Sequence, residues 1–200
     1  MEHVLEMAPF QTRVVAATLV GITASTFFVG ANMALSYLAM PALVLPASPS
    51  SSKSPSPKAV TPSPHLAKQW SFIYDRAAPV AIAITGISTA SFTYAAMQLP
   101  ATLSMQRNLL IAAASMAFIV GPFTLTVIMP TNSVLKERAN ASDIVKDVGE
   151  AGVIDAGRPK AQDISAYRTD ELIIRWARLS YLRATMPTVA VFCAIAALFY

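Results

Sequence analysis

Charged side chains are scarce in this chain. Only 13% of its 200 residues are Asp, Glu, Lys or Arg, which is about half the share found in soluble domains. Hydrophobic residues make up 54% of the sequence, and the mean hydropathy is +0.51. This composition indicates a membrane protein, with a soluble all-helical bundle as the alternative.

Metal ligands and redox-active groups are also few. The single cysteine, Cys193, excludes an intrachain disulfide and is interpreted as a small core residue. His3 and His65 are far apart, and with one cysteine they do not supply the ligands of a usual zinc or copper site. The motifs GxGxxG, CxxC and GxSxG are missing as well. We therefore expect no metal site and no nucleotide-binding fingerprint.

The sequence lacks the features of a nucleic-acid-binding protein, although it is basic. The formal net charge is +4 and the isoelectric point is near 9.4. Basic residues are interspersed with acidic ones in the loops, without a basic stripe or a stacking platform. We expect no nucleic-acid partner and attribute the excess charge to orientation in a membrane.

Long uncharged runs are what the chain does have. A helix needs about twenty such residues to cross ~30 Å of hydrocarbon. The first run exceeds the roughly 7–15-residue core of a signal peptide, so we expect an uncleaved span. The fold class predicted is all-α, a four-helix transmembrane bundle with an amphipathic cytosolic-side segment, forming one domain over residues 1–200. Its spans are Val14 to about Leu38, Ala77–Leu99, Leu109–Met129 and Ala184–Tyr200.

Proline and polar composition mark the connections between the spans. Pro41 and Pro46 are expected to end the first helix. The segment Pro46–Pro64 is rich in Pro and Ser and is expected to be disordered. An amphipathic helix is expected after Asn132, followed by a mixed-charge loop over Glu137–Thr169.

Basic residues are distributed unevenly between the two ends of the predicted bundle. With four spans, loops 42–76 and 130–183 share one end and carry most of the Lys and Arg, whereas Arg13 and Arg107 belong to the other end. The positive-inside tendency predicts that these loops are cytosolic and that both termini are lumenal or extracytosolic. We expect a multi-pass protein of an endomembrane.

Polar groups collect at the predicted cytosolic end. The third span leaves the membrane at Asn132, within Met-Pro-Thr-Asn, and the last helix is expected to begin between Asp163 and Thr169. Arg183 must snorkel, pair or hold an anion, because burying its charge costs at least a few kcal/mol. Helical spacing places four residues of the last helix on one face: Trp176, Ser180, Arg183 and Pro187.

Four further side chains have two interpretations each. Asn32 finds no partner in lipid, so it makes either a helix-to-helix hydrogen bond or a ligand contact. Trp70 and Tyr74 share a helix face and suit either an interfacial aromatic belt or a binding site. His65 suits either a solvated loop or a site.

Three segments combine these features: HLAKQWSFIYDRAAP (His65–Pro79), PFTLTVIMPTNSVLKER (Pro122–Arg138) and RWARLSYLRATMP (Arg175–Pro187). They resemble segments of the anthrone oxygenase family, which consists of small four-span membrane proteins of fungal polyketide pathways. The most specific parts are the MPTN exit, the W-x-x-x-Y pair and the R-W…R run. The resemblance covers the chain outside the Pro/Ser loop. It departs at Ser180, where the family often carries Asn.

The resemblance implies an oxygenase that converts an emodin-type polyketide anthrone to its anthraquinone with O2, without metal or flavin. The C10 proton of an anthrone is acidic and its anion is delocalised, so the anion can transfer an electron to O2 directly. The protein need only deprotonate, hold and shield the substrate. Membrane lipid is the other expected partner, and a homo-oligomer is left open. The alternatives are a non-catalytic four-span scaffold or partner subunit, and an oxidase with bound haem or flavin.

The resemblance also implies roles for the polar residues. His65 is the favoured general base, with Tyr74 or Asp75 as alternatives. Arg183, together with Arg175, would stabilise the anthrolate oxygen, and these implied catalytic residues are His65, Tyr74 and Arg183. Asn132 would bind a phenol or peroxide, and both tryptophans would stack on the rings. The implied substrate-binding residues are Asn32, Trp70, Asn132, Arg175, Trp176 and Ser180.

Overall fold

The computed structural model describes the backbone of residues 2–45, 63–147, 164 and 167–200, and the side chains of residues 11–45, 65–141, 164 and 167–200. Throughout these ranges the chain is helical and contains no strand, which confirms the all-α prediction. The helices are α1 (Glu2–Ala34), α2 (Met40–Val44), α3 (Ser63–Gln98), α4 (Ser104–Phe123), α5 (Met129–Asp147) and α6 (Thr169–Phe199). A first π turn, Leu35–Ala39, joins α1 to α2, and a second π turn, Thr124–Ile128, joins α4 to α5; a 3-10 turn at Ala101–Leu103 precedes α4.

Four helical segments are long and apolar enough to cross a membrane, as the four uncharged runs predict. They extend well beyond those runs, because 31 to 41 residues correspond to roughly 46–62 Å of helix, against ~30 Å of hydrocarbon. The helices are therefore longer than the hydrocarbon layer requires, and the expected span boundaries stay a prediction. The extra turns persist because they bury large side chains at one end of the bundle. The four segments are Gln11–Val44, His65–Gln98, Ala101–Ala141 and Thr169–Phe199.

Pro41 does not end the first helix, contrary to the sequence expectation. The chain stays helical to Val44, and Leu45 is the first extended residue. Proline lacks an N–H and its ring clashes with the preceding turn of an α-helix. Here that turn is widened, since the Met40 N–H donates to the Leu35 carbonyl five residues back, and the wider turn accommodates the ring.

A widened turn of the same kind keeps the chain helical through Pro130. The Met129 N–H donates to the Thr124 carbonyl, and α5 then continues to Asp147. The loop expected from Glu137 is therefore helical in its first part, because Leu135 and Ala139 are buried on the inner face of α5. Ser63 and Pro64 belong to α3 and are helical, contrary to the disorder expected for the end of the Pro/Ser segment. Residues 46–62, 148–163 and 165–166 lie outside the described residues, so the predictions for them stay untested.

The last helix begins within the expected interval, at Thr169. Thr169 is its first helical residue rather than its cap. Instead, the Arg168 N–H donates to the Glu171 carboxylate at 3.0 Å, so an acidic side chain satisfies a free backbone donor at the start of the helix.

Small residues line the first of two cores. Close approach of α1 and α3 requires Gly21, where a Cβ would lie 2.5 Å from the Phe92 ring, and the Ser25 and Ser88 hydroxyls hydrogen-bond between these helices. Small side chains of this kind let membrane helices pack closely. The buried members of this core are Val14, Phe92, Ala95, Ala96, Leu110, Ala113, Ala117, Ala190, Ala194 and Ala197.

Large residues form the second core, at the other end of the bundle. There α2, the start of α3, the second π turn, α5 and the start of α6 meet, as shown by the buried residues that pack together. The exit from the third span and the start of the last helix therefore lie at the same end, as expected. These residues are Met40, Leu66, Trp70, Ile128, Leu135, Leu172, Ile173, Trp176 and Ala177.

Candidate functional site

A buried arginine lies near the middle of α6. Arg183 is 8% exposed, and its Nη2 donates a hydrogen bond to Asn32 Oδ1 on α1. Its Nη1 lies 3.5 Å from Thr124 Oγ1, and the guanidinium carbon lies 5.4 Å from the centre of the Phe28 ring. A guanidinium has five N–H donors, and its identified hydrogen-bond partners here are neutral. No carboxylate of the described chain pairs with Arg183, so its positive charge is available to an anion.

Asn32 connects the first helix to the last. Its Nδ2 donates to the Phe28 carbonyl at 2.9 Å, while its Oδ1 accepts from Arg183. The structure thus shows the helix-to-helix hydrogen bond that was one of the two interpretations of this residue. Its second role, in substrate binding, stays a prediction.

Three aromatic side chains lie together one to two helical turns closer to the end of the bundle than Arg183 does. The Trp70 and Tyr74 rings stack with centroids 5.0 Å apart and planes at 16°, and Trp176 meets Trp70 edge-on at 5.9 Å. The amide Nδ2 of Asn132 lies 3.1 Å from the Tyr74 hydroxyl. Both indoles are buried, whereas the side chains of an interfacial belt face lipid. The inward placement of the indoles argues against a belt, and a binding role for these rings stays a prediction.

One face of α6 joins this aromatic group to Arg183. Trp176, Ser180, Arg183 and Pro187 are all buried, as the helical spacing predicts. Seven residues separate Trp176 from Arg183, which is roughly 10 Å along the helix. We define the polar cluster as the residues joined by these contacts together with the buried hydroxyl residues Ser36, Thr131 and Ser180 of the adjoining turns. Its members are Asn32, Ser36, Trp70, Tyr74, Thr124, Thr131, Asn132, Trp176, Ser180 and Arg183.

The polar cluster contains a concentration of unsatisfied hydrogen-bonding groups. Eight buried side-chain nitrogen or oxygen atoms of the described residues have no hydrogen-bond partner, and seven belong to the cluster. Each such group costs about 1–3 kcal/mol if it stays unpaired. A ligand or water that binds there would recover this energy. The seven are Ser36 Oγ, Trp70 Nε1, Thr131 Oγ1, Asn132 Oδ1, Trp176 Nε1, Ser180 Oγ and Arg183 Nε.

These seven atoms are mostly donors. The two indole N–H groups and the Arg183 Nε–H can only donate, the three hydroxyls can donate or accept, and Asn132 Oδ1 can only accept. A matching ligand is therefore rich in acceptor oxygens and can carry a negative charge. Phenols, ketones and their enolates have this chemistry.

Both π turns border the polar cluster. Ser36 lies within the first π turn, and the second begins at Thr124 and leads into the turn that carries Thr131 and Asn132. Single π turns are frequent at functional sites, because the extra residue redirects side chains. Sequence reasoning missed Ser36, Thr124 and Thr131. The available signal was the Met-Pro pair that follows each π turn, which was interpreted as a helix end or a membrane exit.

Three of the candidate residues lie outside the cluster. His65 is exposed at the start of α3, and no hydrogen bond or ion pair links it to the described part of the chain. Arg175 lies with its guanidinium carbon 5.7 Å from the Tyr167 ring centre. Asp75 is about half exposed and pairs with Lys136 at 2.6 Å. Lys136 Nζ also lies 5.2 Å from the Tyr74 ring centre.

A search for metal ligands among the described side chains finds no group of three His, Cys, Asp or Glu residues. Asp75, which follows Tyr74 in the chain, is engaged elsewhere because it accepts hydrogen bonds from both Lys136 and Ser71. The Tyr74 hydroxyl accepts a hydrogen bond from the Asn132 amide, and Lys136 Nζ lies over the Tyr74 ring.

Comparison with known proteins identifies the family. A family model described as anthrone oxygenase matches residues 70–193. This range includes every member of the polar cluster except Asn32 and Ser36. No curated protein and no solved structure matches the chain. Because the family match spans more than half of the 200 residues, the chain belongs to the anthrone oxygenase family.

Proposed function

We propose that this protein oxidises a polyketide anthrone of the emodin type at C10 with O2, giving the anthraquinone and water. Family membership supports an oxygenase. The observation that carries the proposal is the set of seven unsatisfied polar atoms, mostly donors, beside a buried arginine that has no carboxylate partner among the described residues. That arrangement suits a substrate that binds as an oxyanion.

Arg183 is the proposed anion-binding residue. Removal of the C10 proton moves negative charge onto the C9 oxygen of the anthrone. Arg183 Nε and the Ser180 hydroxyl are both unsatisfied and lie on one face of α6, so they can donate to that oxygen. In a site closed to water, donors aimed at a developing charge contribute several kcal/mol to the stability of the anion.

Tyr74 is the proposed general base. Its hydroxyl oxygen is 3.1 Å from Asn132 Nδ2, and Lys136 Nζ lies 5.2 Å from the centre of its ring, so a hydrogen-bond donor and a cation lie beside it. His65 is exposed at the start of α3, and Asp75 is occupied by Lys136 and Ser71. We therefore favour Tyr74 over the two other candidates that the sequence left open.

The proposed reaction balances without an added reductant. Loss of the C10 proton gives the anthrolate, which transfers one electron to O2. The substrate radical and superoxide then combine to form a C10–O bond, and protonation gives a hydroperoxide. Loss of water, with the second C10 hydrogen, leaves a C10 carbonyl. One oxygen atom enters the quinone and the other enters water.

Since the delocalised anthrolate can reduce O2 by itself, the proposed reaction requires neither metal nor flavin. We also propose that the protein lies in an endomembrane with loops 42–76 and 130–183 in the cytosol. A flat aromatic and O2 both partition into hydrocarbon, so a site between membrane helices receives both substrates from the bilayer.

The test is quinone formation by membranes that contain this protein. An emodin-type anthrone is added in air, and the quinone is followed against membranes from cells without the protein, which report the spontaneous oxidation. A faster rate that requires O2 supports the proposal. Equal rates would favour a non-catalytic scaffold, and an absorbance band of haem or flavin in the purified active protein would show that a cofactor supplies the chemistry.

A further inference from the structure

A groove runs along the outside of the bundle between α3 and α4, away from the polar cluster. Its volume is about 710 Å³. The floor includes Ala96, which is buried, and Ala114, which is half-buried, and the walls include Met97 and Phe118. These two wall residues are largely exposed, so they project on either side of the floor. The groove therefore faces the membrane.

The lining of the groove suits a hydrocarbon chain. Most of its residues are apolar, and the Ser115 hydroxyl already donates to the Ile111 carbonyl at 2.9 Å, so it does not require a polar ligand. An apolar concavity left without neighbouring atoms forfeits dispersion contacts. In a bilayer, the acyl chain of a lipid is a flexible apolar group that can fill this groove.

A single cation stands at one end of the groove. Arg107 lines it and is exposed in the first turns of α4, directly after the connection from α3. Among the described side chains of residues 11–30, 90–120 and 190–200, the charged ones are Arg13 and Arg107. No carboxylate of the described side chains pairs with Arg107, and we infer that an external anion does.

The groove is long enough to cross the hydrocarbon of one membrane leaflet. Arg107 and Pro122 are both part of the lining and are separated by roughly 22 Å along α4. One leaflet contributes about 15 Å of hydrocarbon. With Arg107 at the depth of the headgroups, the groove extends through that leaflet.

We propose that this groove is a binding site for one anionic glycerophospholipid. The phosphate pairs with Arg107, and an acyl chain lies along the floor formed by Ala96 and Ala114. The pairing uses the match between a guanidinium and phosphate oxygens. This site is separate from the oxygenase proposal.

The test measures lipid retained by the full chain. The protein is placed in nanodiscs of equal phosphatidylglycerol and phosphatidylcholine, released into mild detergent and weighed by native mass spectrometry. We expect one bound phospholipid per chain, with phosphatidylglycerol enriched about five-fold over phosphatidylcholine. Arg107→Gln should abolish the enrichment, and Arg107→Lys should keep most of it. Arg13→Gln is the matched control, because Arg13 lies at the same end outside the groove, and it should keep the full enrichment.

A second variant tests the groove independently of charge. Ala114→Phe fills the floor and should remove the bound lipid although Arg107 is intact. Retention of lipid by Ala114→Phe, or equal enrichment in the wild type and Arg107→Gln, would overturn the proposal. Displacement of the lipid by excess inorganic phosphate would also overturn it, since that would indicate a simple anion site. A dimer that Ala114→Phe converts to a monomer, without any lipid loss, would assign the groove to a second copy of the chain.

Discussion

Arg183 on the last helix donates a hydrogen bond to Asn32 on the first. The contact places a positive charge inside the bundle against a neutral acceptor. A structural ion pair would use a carboxylate at this position. The neutral partner leaves the guanidinium with both charge and free donors, and this is the feature on which the oxygenase proposal depends.

Asn32→Asp should change stability and activity in opposite directions. A carboxylate would pair with Arg183 directly, so the protein should unfold at a higher temperature than the wild type. The same pair would neutralise the anion-binding charge, so quinone formation should fall about ten-fold or more. Thermal unfolding in detergent and the rate of quinone formation provide the two measurements. An Asn32→Asp protein with full activity would show that the charge of Arg183 is not used for the substrate.

Tyr74→Phe should abolish most of the activity. The substitution keeps the ring that stacks on Trp70 and removes only the hydroxyl, so the fold should persist. Loss of a general base costs about a hundred-fold or more in rate. His65→Gln is the comparison, and it should keep the wild-type rate. If His65→Gln is inactive and Tyr74→Phe is active, the base has been assigned to the wrong residue.

Two glycines should respond differently to alanine. Gly21→Ala drives a Cβ into the buried Phe92 ring, and overpacking of this kind costs about 1–3 kcal/mol of unfolding free energy. Gly30 has no neighbouring atom within 4 Å of an added Cβ, so Gly30→Ala should stabilise the helix by about 0.5–1 kcal/mol. Unfolding in mixed micelles measures both. Similar values for the two variants would show that α1 and α3 do not pack closely at Gly21.

Two asparagines at opposite ends test the orientation. Asn140 and Asn108 are both exposed, near the end of α5 and at the start of α4. In a Cys193→Ala background, each is replaced by Cys and treated with a membrane-impermeant maleimide in sealed vesicles whose cytosolic face is outward. We expect labelling of Asn140→Cys before permeabilisation and of Asn108→Cys only after it. The reverse pattern would invert the proposed topology.

The four spans were predictable because uncharged runs of sufficient length leave few alternatives. The face shared by Trp176, Ser180 and Arg183 was also predictable, since helical periodicity fixes it once the helix is known. Both inferences use neighbours along the chain. This is why they agree with the structure.

The remaining features of the site depend on contacts between distant residues. Asn32 and Arg183 are 151 positions apart, and neither residue specifies the other. Thr124 and Ser36 looked like ordinary hydroxyl residues of apolar helices, with no spacing that sets them apart. The π turn before Pro41 was missed because proline was interpreted as a helix end, although a widened turn tolerates it. His65 was favoured as a base for its chemistry alone, and the fold leaves it exposed.

The central claim is that Arg183 holds the substrate anion, and the most direct measurement compares Arg183→Met with the wild type in the conversion of an emodin-type anthrone to its quinone. Arg178→Gln is the matched control, because Arg178 is an exposed cation on the same helix. With equal amounts of each protein in the membrane, we predict that Arg183→Met falls about 10²–10³-fold, as for loss of an oxyanion donor, and that Arg178→Gln stays at the wild-type rate. Wild-type turnover by Arg183→Met would contradict the account.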